Sequence, residues 1–274
     1  MYETGKDRLE KAGVEEAPLD ARLLLEYVCG TDRNTLLAHG DREISEEECR
    51  KYEECIARRE KRVPLQHITG EQEFMGITFL VNENVLIPRQ DTEILVEEVL
   101  KELHDGMSIL DMCTGSGCIL LSLLQYSNDC EGTGTDLSAK ALEIAKENGR
   151  RLGKTPVFLE SDLFEKVEGR YDVIVSNPPY IPTEVIPTLM PEVREYEPEG
   201  ALDGKEDGLY FYREIVRQAG EYLNRGGRLF FEIGCGQAAQ VSALLEEAGY
   251  KEIEVVKDFA GLDRVVSGIY LPCF

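Results

Sequence analysis

Histidine is nearly missing from this chain, with three in 274 residues. None sits beside a cysteine pair, and no C-x-x-C occurs, so the common zinc-ligand spacings are excluded and no metal is expected. The eight cysteines, Cys29, Cys49, Cys55, Cys113, Cys118, Cys130, Cys235 and Cys273, are scattered. They read as free, mostly buried thiols rather than a disulfide framework. No apolar run approaches the roughly 20 residues that span a bilayer. Met1 to Asp7 lacks a basic, then apolar, leader pattern, so a cytoplasmic protein is expected. Basic residues are scarce too: 30 Lys and Arg face 53 Asp and Glu, for a formal net charge of -23. Such a field repels polyanions unless a local basic patch overcomes it, which favours a protein or small-molecule substrate over direct nucleic-acid binding.

What is present suits a globular protein. At 42% hydrophobic and 30% charged residues, the chain can bury a substantial core in one large domain plus a small one. Residues 1–70 read as short helices. Pro18 opens, and Gly30 closes, a helix running from Leu19 to Val28. Ser45 and Glu48 form a capping-box pair before a charged helix that stops ahead of Pro64. This small domain suits docking of a macromolecular partner, or equally a packing cap. The segment Pro64 to Gly70 leaves the helices. Residues 71–90 then read as a linking β-hairpin, alternating from Glu73 to Val81, turning at Asn82-Glu83-Asn84 and returning through Val85-Leu86-Ile87.

Residues 91–274 alternate strands and helices, beginning with the strand Ser108-Ile109-Leu110-Asp111 and the turn Cys113-Thr114-Gly115-Ser116-Gly117. That alternation predicts a doubly wound, mostly parallel sheet, and the last two strands, with no helix between them, predict an antiparallel edge. The Pro- and Glu-rich stretch between Tyr180 and Gly208 is either a substrate-covering lid or disordered.

Two places carry chemistry. Gly115 and Gly117 permit close approach of the backbone to a ligand, and Asp136, ending the second strand, suits a ribose diol. An adenosine-containing cofactor follows. The full G-x-G-x-x-G of dinucleotide sites is absent, and an acidic protein favours a cationic sulfonium over a pyrophosphate. The apolar run Tyr171 to Val175 ends abruptly at Ser176-Asn177-Pro178-Pro179-Tyr180. Two prolines leave that loop rich in acceptors and poor in donors. A planar NH2 group would give one hydrogen to the Asn177 side-chain oxygen and the other to the Pro178 carbonyl, with the Tyr180 ring on its face. The same four residues also make an ordinary strand-ending turn. Arg89 suits either a cofactor or substrate contact or a surface ion pair.

The ordered set Asp111 to Gly117, Asp136, Ser161-Asp162-Leu163-Phe164 and Asn177-Pro178-Pro179-Tyr180 closely resembles class I S-adenosylmethionine methyltransferases that modify planar nitrogens. Further stretches narrow the likeness: Pro64 to Gly70, Ile87 to Glu93, Glu197-Pro198 with Ala201 to Gly204, Glu232-Ile233-Gly234 and Gly261 to Val266. Together they are similar, over nearly the whole chain, to the peptide chain release factor glutamine N5-methyltransferase family. The Asn-Pro-Pro-Tyr element alone is shared with adenine-N6 enzymes. The resemblance implies a Rossmann-like α/β methyltransferase domain and S-adenosyl-L-methionine as cofactor, leaving as S-adenosyl-L-homocysteine. It assigns cofactor contacts to Asp111, Cys113, Thr114, Gly115, Ser116, Gly117, Asp136, Leu137, Asp162, Leu163 and Asn177. It assigns catalysis to Asn177, Pro178 and Tyr180, and substrate binding to Asn177, Pro178, Pro179, Tyr180 and Arg89. The implied substrate is the glutamine of the Gly-Gly-Gln motif in class 1 release factors, modified by a monomeric enzyme. Other readings are a ribosomal-protein glutamine, an adenine base in nucleic acid, or a non-catalytic adenosyl-binding module. One departure stands out: Cys113 occupies a position where the family usually has glycine.

Overall fold

The computed structural model describes residues 1–40 and 42–271, so Cys273 lies outside the described residues. Two compact units emerge, Met1–Glu71 with Met190–Tyr196, and Gln72–Leu189 with the chain from Glu197 onward.

The first unit holds α1 (Tyr2–Lys11), α2 (Ala17–Cys29), α3 (Arg33–Ala38), α4 (Glu46–Glu60) and α5 (Leu65–Thr69). Helix α2 carries Pro18 in its first turn and ends on Gly30 in the left-handed conformation, the proline-in, glycine-out asymmetry. The capping box forms: Ser45 Oγ accepts from the Glu48 N–H at 3.2 Å, and Glu48 accepts from the Ser45 N–H at 2.8 Å. Leu9, Leu24, Tyr52 and Ile56 are fully buried around one small core. Pro64 to Gly70 does not leave the helices as expected. Pro64 is the N-cap of α5 and Gly70, at φ 80°, its C-cap.

The segment Met190–Tyr196, expected in the larger domain, packs with the first unit instead. Electrostatics explains it. Arg59 is buried between Asp20 at 2.7 Å and Glu192 at 2.9 Å, and Arg62 reaches Glu192 at 2.5 Å. Burying the Arg59 guanidinium requires carboxylate partners, and a second one comes from far along the chain.

The second unit opens at Gln72, within β1 (Glu71–Phe74), which with β2 (Ile77–Leu80) makes a small separate sheet. Its turn is Met75-Gly76, with φ 52° and 69°, the all-left-handed geometry that suits a two-residue hairpin. The expected turn at Asn82–Asn84 does bend the chain, the Asn82 carboxamide accepting from the Asn84 N–H at 2.9 Å. It leads into a loop, however, and Val85 to Ile87 form no strand.

Then follow α6 (Gln90–Glu102), β3 (Ser108–Met112), α7 (Cys118–Tyr126), β4 (Glu131–Asp136), α8 (Ala139–Leu152), β5 (Val157–Glu160) and β6 (Tyr171–Ser176). After α9 (Pro191–Arg194) come α10 (Tyr210–Tyr222), β7 (Leu223–Glu232), α11 (Ala238–Glu247), β8 (Lys251–Lys257) and β9 (Asp263–Ile269). The strands build a seven-stranded sheet ordered β5-β4-β3-β6-β7-β9-β8. Pairs from β5 through β7 are parallel, and β9 runs antiparallel to both β7 and β8. Consecutive side chains bury on opposite faces: Ile109 and Phe230 join one core, Leu110 and Phe231 the other. Strands covered on both faces read as unbroken apolar runs, as these do.

The chain winds outward from β3 to β5, then returns to place β6 on the other side of β3. The topological switch point therefore lies between β3 and β6, where open α/β sheets bind ligands. Met112 pairs with Ser176 in register, so Cys113 and Asn177 flank that crevice. The stretch after Tyr180 is folded, not disordered. Thr183 N–H donates to the Lys205 carbonyl at 3.0 Å, Ile181 bridges Asp203, and Glu199–Ala201 forms a short 3-10 turn.

Candidate active site

A cavity of about 410 Å3 opens at the switch point, within the usual range for small-molecule sites. Its wall brings together Cys113 and Gly115 after β3, Asp136 at the end of β4 and Leu137 after it, Asp162 and Leu163 after β5, and Asn177 and Pro179 after β6. Four loops thus converge at the carboxyl ends of four adjacent strands. The remaining candidates stand outside that wall. Asp111, Thr114, Ser116 and Gly117 shape it from behind, Pro178 and Tyr180 continue the loop beyond it, and Arg89 is paired elsewhere.

Asp111 is fully buried, and its carboxylate accepts from the Thr114 hydroxyl at 2.5 Å. Burial pushes its pKa up to about 7. It braces the turn through Oδ2, while Oδ1 has no hydrogen-bond partner among the described residues. Gly117, at φ 79°, lies where a Cβ would come within 3.2 Å of Ala145 Cβ. Glycine there lets α7 pack against α8.

Asp136 does more. Its Oδ2 accepts from the Gly115 N–H at 2.9 Å and its Oδ1 from the Ser138 N–H at 2.8 Å. Burial raises its pKa despite those donors. Its remaining lone pairs suit a diol on the cavity side. Two more of the turn's amides are engaged: Thr114 N–H goes to the Thr135 carbonyl at 2.9 Å and Gly117 N–H to the Thr114 carbonyl at 2.8 Å. A pyrophosphate needs free N–H groups, and with these three engaged and, among the described residues, two carboxylates but no Lys or Arg on the wall, a dinucleotide fits poorly. An adenosyl sulfonium fits. Gly115, at φ 55°, has open space where its Cβ would stand, and Leu137, Leu163 and Phe211 supply apolar surface.

Cys113 holds φ 59°, the left-handed region that costs a side chain about 1–2 kcal/mol. Desolvation and the Asp136 carboxylate push its thiol far above the ordinary range, so it is no nucleophile. Cys113→Gly is expected to raise stability by about 1 kcal/mol, read as a higher midpoint in urea unfolding. A lower midpoint would show that the sulfur's contacts outweigh the backbone strain.

The loop after β6 is gripped from behind. Gln237 Nε2 donates to the Tyr180 carbonyl at 3.1 Å and to the Gly208 carbonyl at 3.2 Å, while its Oε1 accepts from the Gly234 N–H at 2.9 Å. Gly204 and Gly208 lie against the Tyr180 backbone with no room for a side chain. Asn177 Nδ2 donates to Thr92 Oγ1 at 3.4 Å. Arg89, expected to bind substrate or to form an ion pair, pairs with the buried Glu197 at 2.6 Å, and Glu197 also accepts from the Ile87 N–H at 3.2 Å. That pair anchors the neighbouring Pro198, Gly200 and Ala201, which line the cavity.

Residue patterns alone did not expose Leu86, Ser138, Phe211, Thr92 or Gln237. Ser138 had a signal, since its hydroxyl caps α8 by accepting from the Ala141 N–H at 3.2 Å.

Comparison with known proteins decides the lineage. The PrmC N-terminal domain matches residues 1–70, and the Methyltransferase small domain matches residues 89–189. The release factor glutamine methyltransferase of Geobacter sulfurreducens is 45% identical over 95% of this chain and 92% of its own length. The chain belongs to the release factor glutamine methyltransferase family. The family's protein from Caulobacter vibrioides is 42% identical over 99% of this chain and 96% of its own. Among solved structures, a Pyrococcus furiosus methyltransferase superposes with a TM-score of 0.55 at 18% identity, covering 73% of this chain and 91% of that one. That likeness is one of fold.

Proposed function

We propose that the chain transfers a methyl group from S-adenosylmethionine to the side-chain amide nitrogen, N5, of the glutamine in the Gly-Gly-Gln motif of class 1 release factors. The observation that carries this reading is that Asn177, at the tip of β6, lines the same cavity as Asp136 at the tip of β4. A planar-nitrogen acceptor and a ribose acceptor thus share one pocket. Family membership supports the choice of glutamine over adenine, as does the net charge of -23.

The bound cofactor supplies the electrophilic methyl on its sulfonium. Asp136 would accept from the ribose hydroxyls, and Asp162 and Leu163, on the same wall, would hold the adenine. An amide nitrogen is a weak nucleophile because its lone pair is delocalised. Asn177 Oδ1 and the Pro178 carbonyl take the two hydrogens of the substrate NH2 and aim the nitrogen into the cavity, while the Tyr180 ring packs on the amide plane. The same two oxygens stabilise positive charge as it develops on nitrogen. The proton leaves afterward to solvent. Residues 1–70, with a core of their own, dock the release factor away from the reacting glutamine. The enzyme acts as a monomer in the cytoplasm, and no described helix is long and apolar enough to cross a membrane.

The test is transfer of labelled methyl to purified, unmethylated release factor, to its Gly-Gly-Gln variant with Gln→Ala, to ribosomal protein and to RNA. Label on the wild-type factor alone is expected. Label confined to RNA or to ribosomal protein would overturn the substrate assignment.

A further inference from the structure

Glu232 ends β7, and because Ser176 pairs with Phe231 in register, it lies beside Asn177 at the lip of the sheet. The residue is 2% exposed, and Oε2 has no hydrogen-bond donor among the described residues. A carboxylate this buried is costly unless something uses its acceptor capacity. Thr92 and Tyr180 lie near enough to draw its pKa down, and Thr92 is the residue that receives Asn177 Nδ2 at 3.4 Å.

We propose that Glu232 is the positioning residue that decides which end of the Asn177 amide faces the substrate, acting through the Thr92 hydroxyl. A hydroxyl has one hydrogen. With that hydrogen turned to the ionised Glu232 carboxylate, Thr92 Oγ1 offers Asn177 only lone pairs, so the amide points Nδ2 at Thr92. Asn177 Oδ1 is then left for the substrate NH2. With Glu232 protonated, the carboxyl donates to Thr92 and the Thr92 hydrogen turns to Asn177 Oδ1. The amide rotates and meets the substrate NH2 with its own NH2, donor against donor.

Burial pushes the Glu232 pKa up to about 7, with Thr92, Arg264 and Tyr180 drawing it down and Asp91 raising it. The charged and titratable groups around it are Asp91 from α6, Arg264 from β9, Tyr180 after β6, Tyr212 from α10 and Cys118 from α7. Arg264 is itself held by Asp258 at 3.0 Å and Asp91 at 3.1 Å, which leaves its charge only partly available to Glu232. Tyr212 donates to the Glu232 backbone carbonyl at 2.9 Å and leaves the carboxylate free. The productive state is the ionised one, so kcat/KM rises with pH through about 7 and then levels.

The inference rests on the proposed function only in taking Asn177 Oδ1 as the substrate's acceptor, and two readouts separate the two. In kinetics with release factor, Glu232→Gln and Thr92→Val each lower kcat by about 30-fold or more, with KM changed less than about threefold. The double variant falls no further, because both act on one amide. Thr92→Ser restores turnover, and the rising pH limb disappears in Glu232→Gln. Without any methyl acceptor, the Asn177 side-chain amide resonance, assigned by its loss in Asn177→Ala, shifts with a midpoint near pH 7 in the wild type. It stays still in Glu232→Gln and Thr92→Val. A wild-type resonance that does not titrate, or Glu232→Gln turnover within about threefold of wild type, overturns the role of Glu232. A titrating resonance in an enzyme that labels no release factor upholds it and overturns the substrate assignment alone.

Discussion

Asn177→Ala is expected to lower kcat for methyl transfer by about 100- to 1000-fold, the range seen when one preorganised polar group is removed from a developing charge. The argument is one of geometry. Holding an acceptor nitrogen in line with an electrophile contributes as much as roughly 7–11 kcal/mol in favourable cases, and this site has no group suited to replace it. Among the described residues the cavity wall carries no histidine, Cys113 is held protonated by its surroundings, and Asp136 is engaged by the Gly115 and Ser138 amides. Alanine also frees Thr92 from its bond to Asn177 Nδ2. Cofactor affinity should change by less than about threefold, because Asp136 and the turn after β3 are untouched. Calorimetric titration of the cofactor beside single-turnover transfer checks both halves. Turnover within tenfold of wild type would show that Asn177 does not orient the reacting nitrogen.

The reason Asn177 could be singled out from sequence is the same reason β6 could. Its strand is covered on both faces, so it reads as one apolar run, and the prolines after it mark its end without ambiguity. Caps were equally visible, since Ser45, Glu48, Pro18 and Gly30 act on their immediate neighbours. What escaped depends on partners distant in sequence or on length. The hairpin turn hid because Met75 adopts φ 52° without being a residue that favours it. Helix α5 is five residues long, too short for a 3.6-residue period to show. Met190–Tyr196 joins the first unit through Arg62 and Glu192, 130 positions apart. Asp111 and Asp136 look alike as strand-end acids. Asp136 is the last residue of β4, whereas Asp111 sits one short of the end of β3 and is sealed in. Glu232 was visible within Glu-Ile-Gly, yet nothing local shows that a strand five elements later in the chain lies against Asn177.

Gly208→Ala should cripple the enzyme from outside the cavity. At φ +73° a Cβ on residue 208 would stand 2.3 Å from the Tyr180 carbonyl oxygen and 2.8 Å from Gln237 Nε2. Neither is a flexible side-chain end free to yield, because Gln237 is held at 2.9 Å by the Gly234 N–H and at 3.1 Å by Tyr180 itself. The left-handed backbone costs alanine about 1–2 kcal/mol, and losing the Gln237 bond costs about 1 kcal/mol more. A loss near 3 kcal/mol lowers Tm by about 6–12 °C in a domain of this size. Tyr180 then shifts, and a displacement of about 1 Å at a positioning group costs on the order of 100-fold in rate. Gly200→Ala is the control for stability, since its Cβ position is open and its φ is not left-handed. Thermal unfolding of the two variants, with transfer assayed well below the lower Tm, separates the steric argument from general glycine effects. Equal Tm values would mean that the Tyr180 loop is not wedged between Gly208 and Gln237 as its contacts require.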